Sequence, residues 1–255
     1  MQQNTLQNYF NQRNQLIIKK IGKTNPRKLE EALHQLRVEI KKVEFLFNYL
    51  CFFNQHIKTL DLYKPYRVVF KTTGLIRELQ LLQKMLVHYF GEADWVEQRQ
   101  QLSEREIKLR NRLITHIKRN RRRLKQAGKL LQKLFEKLPV YYQNLYFTRL
   151  ADNVKQHFKV IKKNDIHESR KLLKAVVYSS QIFPDASLLS NLFDIKQCNK
   201  LQDLIGKWHD KIVLKKWITN NLSEKKYAVQ KRRVNHDIKD DFLKIKLIAP
   251  RLLRK

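Results

Sequence analysis

Five glycines and five prolines are all that 255 residues offer for turns. An all-β chain needs turn residues about every 8–12 positions, so this one cannot be a sandwich or a barrel. Disorder is excluded from the other side. Apolar residues make up 42% of the chain and include 13 Phe and 10 Tyr, enough to build a core. The expected class is all-α, folded as one large domain or two small ones.

Apolar periodicity predicts eight helices, over about 4–20, 26–55, 65–90, 93–137, 143–163, 165–183, 187–220 and 223–248. Asn25-Pro26 reads as an N-cap followed by proline at the first helical position. Pro65, Pro139 and Pro184 each remove a helix donor and mark stops or starts. Asp165 is placed to cap the next helix, with Glu168 returning the bond. In the second segment Leu29, Leu33, Leu36, Ile40, Val43, Phe47 and Leu50 step by four and three into one stripe. Phe45, Leu46, Phe52 and Phe53 thicken its C-terminal end, which should be buried on most sides. Eight such helices suggest bundle packing.

The net charge is +31, from 54 basic and 23 acidic residues. Charge of that size calls for a polyanionic partner. Cys51 and Cys198 are far apart and form no framework, so a reducing compartment is the default. Cys51 lies in an apolar run and reads as an inert core thiol. No stretch reaches the roughly 18 apolar residues of a membrane span. The N-terminal MQQNTLQNYF lacks the apolar core of a signal peptide, and cytoplasmic residence is expected.

The chain repeats itself weakly at half its length. EALHQLRVEIKKVEFLF carries His34, Arg37 and Lys41 at offsets of three and seven, and NDIHESRKLLKAVVYSS carries His167, Arg170 and Lys174 at the same offsets. In both copies the triplet borders the apolar seam, so it points partly inward, toward a groove between helices. A second block follows each. Gly74-x-x-Arg77-Glu78 begins 40 residues after His34, and Gly206-x-x-His209-Asp210 begins 39 after His167. A glycine inside a helix costs about 1 kcal/mol relative to Ala. The expected return is close approach of another helix or of a ligand. Glu78 and Asp210 are typed to hold a neighbouring basic side chain.

The strings HQLRVEIKKVEFLF, GLIRELQLL, HESRKLLKAVVYSSQIF and LQDLIGKWHDKIVLKKWI resemble the CHAD family, the conserved-histidine α-helical domain. The resemblance spans nearly the whole chain. It implies a single domain over 1–255 made of two four-helix bundles, 1–138 and 139–255, related by a pseudo-twofold repeat. The two histidine helices would line a basic channel. It further implies binding of inorganic polyphosphate, association with polyphosphate granules, no catalysis and no cofactor. The family's positions map onto His34, Arg37, Lys41, Lys42, Arg77, His167, Arg170, Lys174 and His209, the last being more often Arg. Glu44 and Val177 stand where the family tends to have Arg, Ala175 replaces a base of the second copy, and Glu78 replaces the usual Asp. Glu44 and Val177 would narrow the basic surface or shift where the anion lies.

That chemistry suits the residues. A phosphate chain has charge and no bases to read. Arg offers a planar fork for two phosphate oxygens, and Lys a mobile point charge.

Residues 105–133 hold twelve Lys or Arg and a single acid, Glu106. Helical spacing puts Arg105, Arg112 and Arg119 on one face, near His116. That face is either solvated, adding only long-range field, or a rim of the anion site together with Lys171. Arg232, Arg233, Arg251, Arg254 and Lys255 are expected in solvent.

Glu104-x-Glu106-x-Lys108 matches the ExExK string of the triphosphate tunnel family. There it belongs to a strand; in a helix these three do not share a face. No metal motif is present, and His56, His88, His116, His157 and His236 lack partners at ligand spacing. Trp95, Trp208 and Trp217 read as packing residues. The main alternative partner is nucleic acid, supported by charge alone, since no known nucleic-acid signature is found. A phosphoryl-transfer enzyme lacks its usual metal carboxylates, and a membrane-surface role has only basic helices behind it.

Overall fold

The computed structural model describes residues 2–22, 29–92, 95–138, 143–159, 161–183, 187–223 and 227–252. Asn25, Pro26, Pro139, Pro184, Arg254, Lys255 and the side chain of Leu29 lie outside the described set. The chain is all-α, with no strand among the described residues. The helices are α1 (Gln2–Gly22), α2 (Leu29–Phe53), α3 (Lys64–Phe90), α4 (Val96–Glu136), α5 (Gln143–Phe158), α6 (Ile166–Ile182), α7 (Ser187–Leu192), α8 (Ile195–Asn221) and α9 (Ala228–Ile248). Among these residues no helix is long and apolar enough to cross a membrane.

The chain forms two compact units. The first comprises Met1–Leu81 and Val96–Tyr142, and so contains α1, α2, most of α3 and α4. The second comprises Leu82–Trp95 and Gln143–Lys255, and so contains the end of α3 and α5 to α9. These units are not the halves 1–138 and 139–255 that the resemblance implies: Leu82–Trp95 packs into the second core, and the later boundary falls after Tyr142.

In the first unit α1 lies against α2 and α4. The α2 stripe is buried as its period requires, with Leu33, Leu36, Ile40, Val43 and Leu50 all at 1% exposure or less. Phe45, Leu46, Phe47 and Cys51 are buried too, so the aromatic end of α2 is covered on most sides. Each large apolar side chain taken from water contributes about 1.5–3 kcal/mol. α4 buries Leu102, Leu109, Leu113, Ile117, Leu124, Leu131 and Phe135, one narrow stripe along 41 residues. Phe135 meets Phe10 of α1 with ring centroids 5.1 Å apart. The two helices come close at Gly128. A Cβ there would lie 3.1 Å from Asn14 Cγ, and the Asn14 amide oxygen accepts from Tyr66 OH at 2.7 Å.

In the second unit α8 packs on both α6 and α9, while α5 packs on α6 and α7. The Leu82–Trp95 segment is tied in by Tyr89 OH donating to Asp237 and by the Phe90–Tyr227 ring pair at 5.4 Å. Trp95 is buried and donates Nε1–H to Gly91 O at 2.6 Å. Gly91 has φ +76°, which only glycine adopts without strain.

The helix expected over 187–220 is two helices. Asp194 ends α7 and caps α8, its carboxylate accepting from Gln197 N–H at 3.0 Å. An extended residue at an N-cap cannot stay helical, and this breaks the predicted run. The opposite correction applies to Asp165. Its side chain makes no cap bond, and Glu168 instead pairs with Lys171 at 2.7 Å. The predicted helix over 143–163 stops at Phe158, followed by a short 3-10 turn at Lys163–Asp165. Pro65 sits in the first turn of α3, where a missing N–H costs nothing.

Candidate functional site

In the first unit the row His34, Arg37, Lys41, Lys42 runs along α2. His34 is exposed and the other three are half-buried. Arg37 does not simply point outward. Its side chain crosses to α3, where Nη1 donates to Phe70 O at 2.7 Å and approaches Thr73 Oγ1 at 3.5 Å. The guanidinium carbon lies 4.0 Å from the Phe70 ring centroid. Lys41 Nζ sits over the same ring at 5.1 Å. Phe70 O is the carbonyl that α-helical geometry pairs with the N–H of Gly74, four residues on. Arg37 thus shares this carbonyl with the helix's own N–H and with Thr73 Oγ1, which lies 3.0 Å from it.

Gly74 makes that approach feasible. A Cβ there would stand 2.8 Å from Arg37 Nη1. The sequence led us to expect another helix or a ligand against this glycine; what fills the space is the arginine of the triplet itself.

The second unit repeats the construction. His167 on α6 is exposed, while Arg170 and Lys174 are half-buried. Arg170 Nε donates to Gln202 O of α8 at 3.2 Å. Gln202 stands four residues before Gly206, as Phe70 stands four before Gly74. A Cβ on Gly206 would be 2.8 Å from Arg170 Nη2. His209 comes forward from α8 so that its ring centroid is 6.3 Å from that of His167, with the planes tilted by 44°. Two imidazoles from neighbouring helices therefore share one exposed face.

The acid that holds Arg77 is not its neighbour Glu78. Arg77 is held by Glu30 of α2, and among the described residues no ion pair reaches Glu78. Glu39 is buried, and accepts from both Arg13 and Lys42 at 3.2 Å. A buried carboxylate needs such pairing to remain charged. Lys42 is thus partly compensated. The second unit has no counterpart to Glu39, because Leu172 occupies the equivalent position. Phe70, Thr73, Glu30 and Glu39 were missed by sequence reasoning. Only the spacing of Phe70 and Gln202 from their glycines would have pointed to them.

The residues considered for a rim are accessible. Arg112 and Arg119 are exposed on α4, as is Arg105. Lys171 is exposed and paired with Glu168. His116 is half-buried, its Nδ1 3.1 Å from Thr72 Oγ1. Arg232, Arg233 and Arg251 are exposed, as expected. Trp95 and Trp208 are buried and Trp217 half-buried. The Glu104-x-Glu106-x-Lys108 string lies within α4, so it cannot form the strand of a tunnel. Among the described residues no group of three His, Cys, Asp or Glu is arranged to hold a metal ion.

The CHAD domain family matches residues 18–219. The chain belongs to that family. Neither curated proteins nor solved structures give a match.

Proposed function

We propose that this CHAD domain binds inorganic polyphosphate through the two His/Arg/Lys rows and performs no chemistry on it. The observation that carries the reading is the arginine laid over a helical glycine in each unit. Fixing one nitrogen of the guanidinium on a carbonyl removes rotamer freedom that an Arg side chain would otherwise lose on binding, a cost of up to about 2 kcal/mol. The neighbouring histidine and lysine then add charge along the same row. A base-free polyanion needs a line of cations and no stacking platform, and that is what each row offers. Proximity to polyphosphate granules in the cell follows from such binding.

The test is titration of purified protein with long-chain polyphosphate. His34→Ala plus His167→Ala changes two exposed side chains and should leave the fold intact. Lys41→Ala plus Lys174→Ala, and Arg37→Ala plus Arg170→Ala, complete the set. We expect each double variant to lose about tenfold or more in affinity, since a hydrogen bond to a charged group contributes about 1.5–3 kcal/mol. Unchanged affinity in the Arg and Lys doubles would sink the site.

A second reading, nucleic-acid binding, is favoured by the exposed Arg105, Arg112 and Arg119 along α4. Competition at equal charge concentration separates the two. Displacement of polyphosphate by duplex DNA or tRNA supports the second reading.

A further inference from the structure

Much of the chain's charge lies off the His/Arg/Lys rows, on α4. Between Lys118 and Lys133 that helix has eight Lys or Arg and no acid, over about 22 Å of axis. All eight are exposed. Among the described residues no ion pair reaches any of them. The neighbouring helix supplies no acid either. α1 runs antiparallel beside this stretch, with Gln7 bonded to Glu136 and Asn14 against Gly128, and α1 contains no Asp or Glu. Like charges three and four residues apart on a helix repel one another, and a bound polyanion relieves that. The charge is also two-sided. At about 100° per residue, Arg119 and Arg123 stand on one flank, and Arg121 and Lys125 stand about 160° round, on the other. The exposed ridge between the flanks holds Thr115, Arg122 and Gln126. Opposite the ridge is the buried stripe of Ile117, Leu124 and Leu131.

We propose that this stretch of α4 is a surface for duplex DNA, with the helix lying in the major groove and its two flanks meeting the phosphates of the two strands. The proposal rests on the nucleic-acid reading of α4 and gives it a definite partner. It shares no residue with the His/Arg/Lys rows. A bare phosphate chain is served by one file of cations and leaves the second flank unused. A B-form duplex presents two phosphate strands on either side of a groove about 12 Å wide, and a helix with its side chains is about 10–12 Å across. Continuous basic helices lie in that groove in other DNA-binding proteins. The ridge then carries Arg122 and Gln126 toward base edges, where Arg pairs with guanine and Gln with adenine. Single strands fit less well. Their binding surfaces stack bases on exposed aromatic rings, whereas α4 has no Tyr or Trp and its one Phe, Phe135, is buried. Duplex RNA also fits less well, because its major groove is deep and narrow. A bilayer surface would call for apolar side chains on the ridge, where Thr115, Arg122 and Gln126 stand instead.

A chain of charge +31 attracts any polyanion, so the test compares variants of equal charge. Full-length protein is titrated at 150 mM salt with a labelled DNA duplex of about 20 base pairs, the same sequence as duplex RNA and as single-stranded DNA, and long-chain polyphosphate. Arg119→Gln plus Arg123→Gln changes one flank, and Arg121→Gln plus Lys125→Gln the other. Arg232→Gln plus Lys239→Gln removes the same charge from α9. All six side chains are exposed, and glutamine is a good helix former. Each α4 pair should weaken duplex DNA about tenfold or more, lower the slope of log affinity against log salt by about two, and leave polyphosphate within threefold. The α9 pair should leave duplex DNA within threefold. Duplex DNA should bind at least fivefold more tightly than duplex RNA or the single strand. Equal losses from the α4 and α9 pairs would show only a general field and overturn the surface. A matching fall for polyphosphate would make the stretch a rim of the phosphate site and overturn its assignment to DNA. Equal affinity for duplex RNA overturns the groove placement. Unchanged DNA affinity in both α4 pairs, with a loss in His34→Ala plus His167→Ala, moves nucleic acid to the rows: the surface falls and the nucleic-acid reading stands. A protein that binds none of the nucleic acids overturns both.

Discussion

Gly206→Ala isolates the arginine–glycine device, because its effect should depend on whether Arg170 is present. The added methyl would lie 2.8 Å from Nη2 and 3.1 Å from Cζ of Arg170. Both atoms belong to the mobile end of a side chain, so the guanidinium moves and the helices stay. Moving it sacrifices the Nε–H bond to Gln202 O, now 3.2 Å, at about 1.5–3 kcal/mol for a charged donor. Alanine returns about 1 kcal/mol of helix propensity. The single variant should therefore lose about 0.5–2 kcal/mol. With Arg170→Ala already in place nothing opposes the methyl, and Gly206→Ala should then stabilise by about 1 kcal/mol. The double-mutant cycle predicts coupling of about 1.5–3 kcal/mol. Urea denaturation of the four proteins, followed by circular dichroism at 222 nm, measures it. Additivity within about 0.5 kcal/mol would show that the glycine serves something other than the arginine. A loss well above 3 kcal/mol in both backgrounds would point to helix packing instead.

Gly74→Ala should cost more than Gly206→Ala, because Arg37 also has the shorter 2.7 Å bond to Phe70 O and the Phe70 ring to lose; matched denaturation curves compare them. Gly128→Ala drives a methyl into Asn14 and disturbs its bond to Tyr66. The expected loss is about 1–3 kcal/mol, seen as a lower urea midpoint. Polyphosphate affinity should fall steeply with salt, tenfold or more between 50 and 200 mM, as for other polyanions that release counterions; a flat profile by titration contradicts an electrostatic row. Burial pushes the Cys198 thiol up to about 12, with Asp194 adding to the shift, and burial raises Cys51 as well. A raised pKa keeps both as thiols at neutral pH, so a thiol-reactive reagent should label neither in native protein and both in urea.

The α2 seam was legible because its apolar residues recur at helical spacing and nothing competes with that signal. The break between α7 and α8 was missed, although Asp194 and Gln197 hold the spacing of a cap and its partner. Both flanks are helical in pattern, and periodicity alone does not register a change of axis. Asp165 failed as a cap for the opposite reason. Its backbone carbonyl, not its carboxylate, is the atom used, accepting from Ser169 Oγ at 3.2 Å. The triplets and their glycines were both visible, but not the link between them. That link depends on a side chain crossing to the next helix, and helix-to-helix distance is a tertiary quantity. The same limit explains why Glu30 rather than Glu78 holds Arg77. Adjacent residues of a helix stand about 100° apart around its axis, so Glu78 does not share the face of Arg77, while Glu30, 47 residues away, meets it from α2.

Helix α3 starts in one core and ends in the other. A gene cut at the 138/139 boundary would therefore not release two self-sufficient pieces. The C-terminal fragment would lack Tyr89, Phe90 and Trp95, all buried in its own core. The N-terminal fragment would carry them as a surplus apolar arm. Such pieces are suited to complementation: the C-terminal one is unfinished alone, and the strip it lacks is the strip the N-terminal one leaves exposed. During synthesis the N-terminal unit can close while that arm waits for Gln143–Lys255 to emerge.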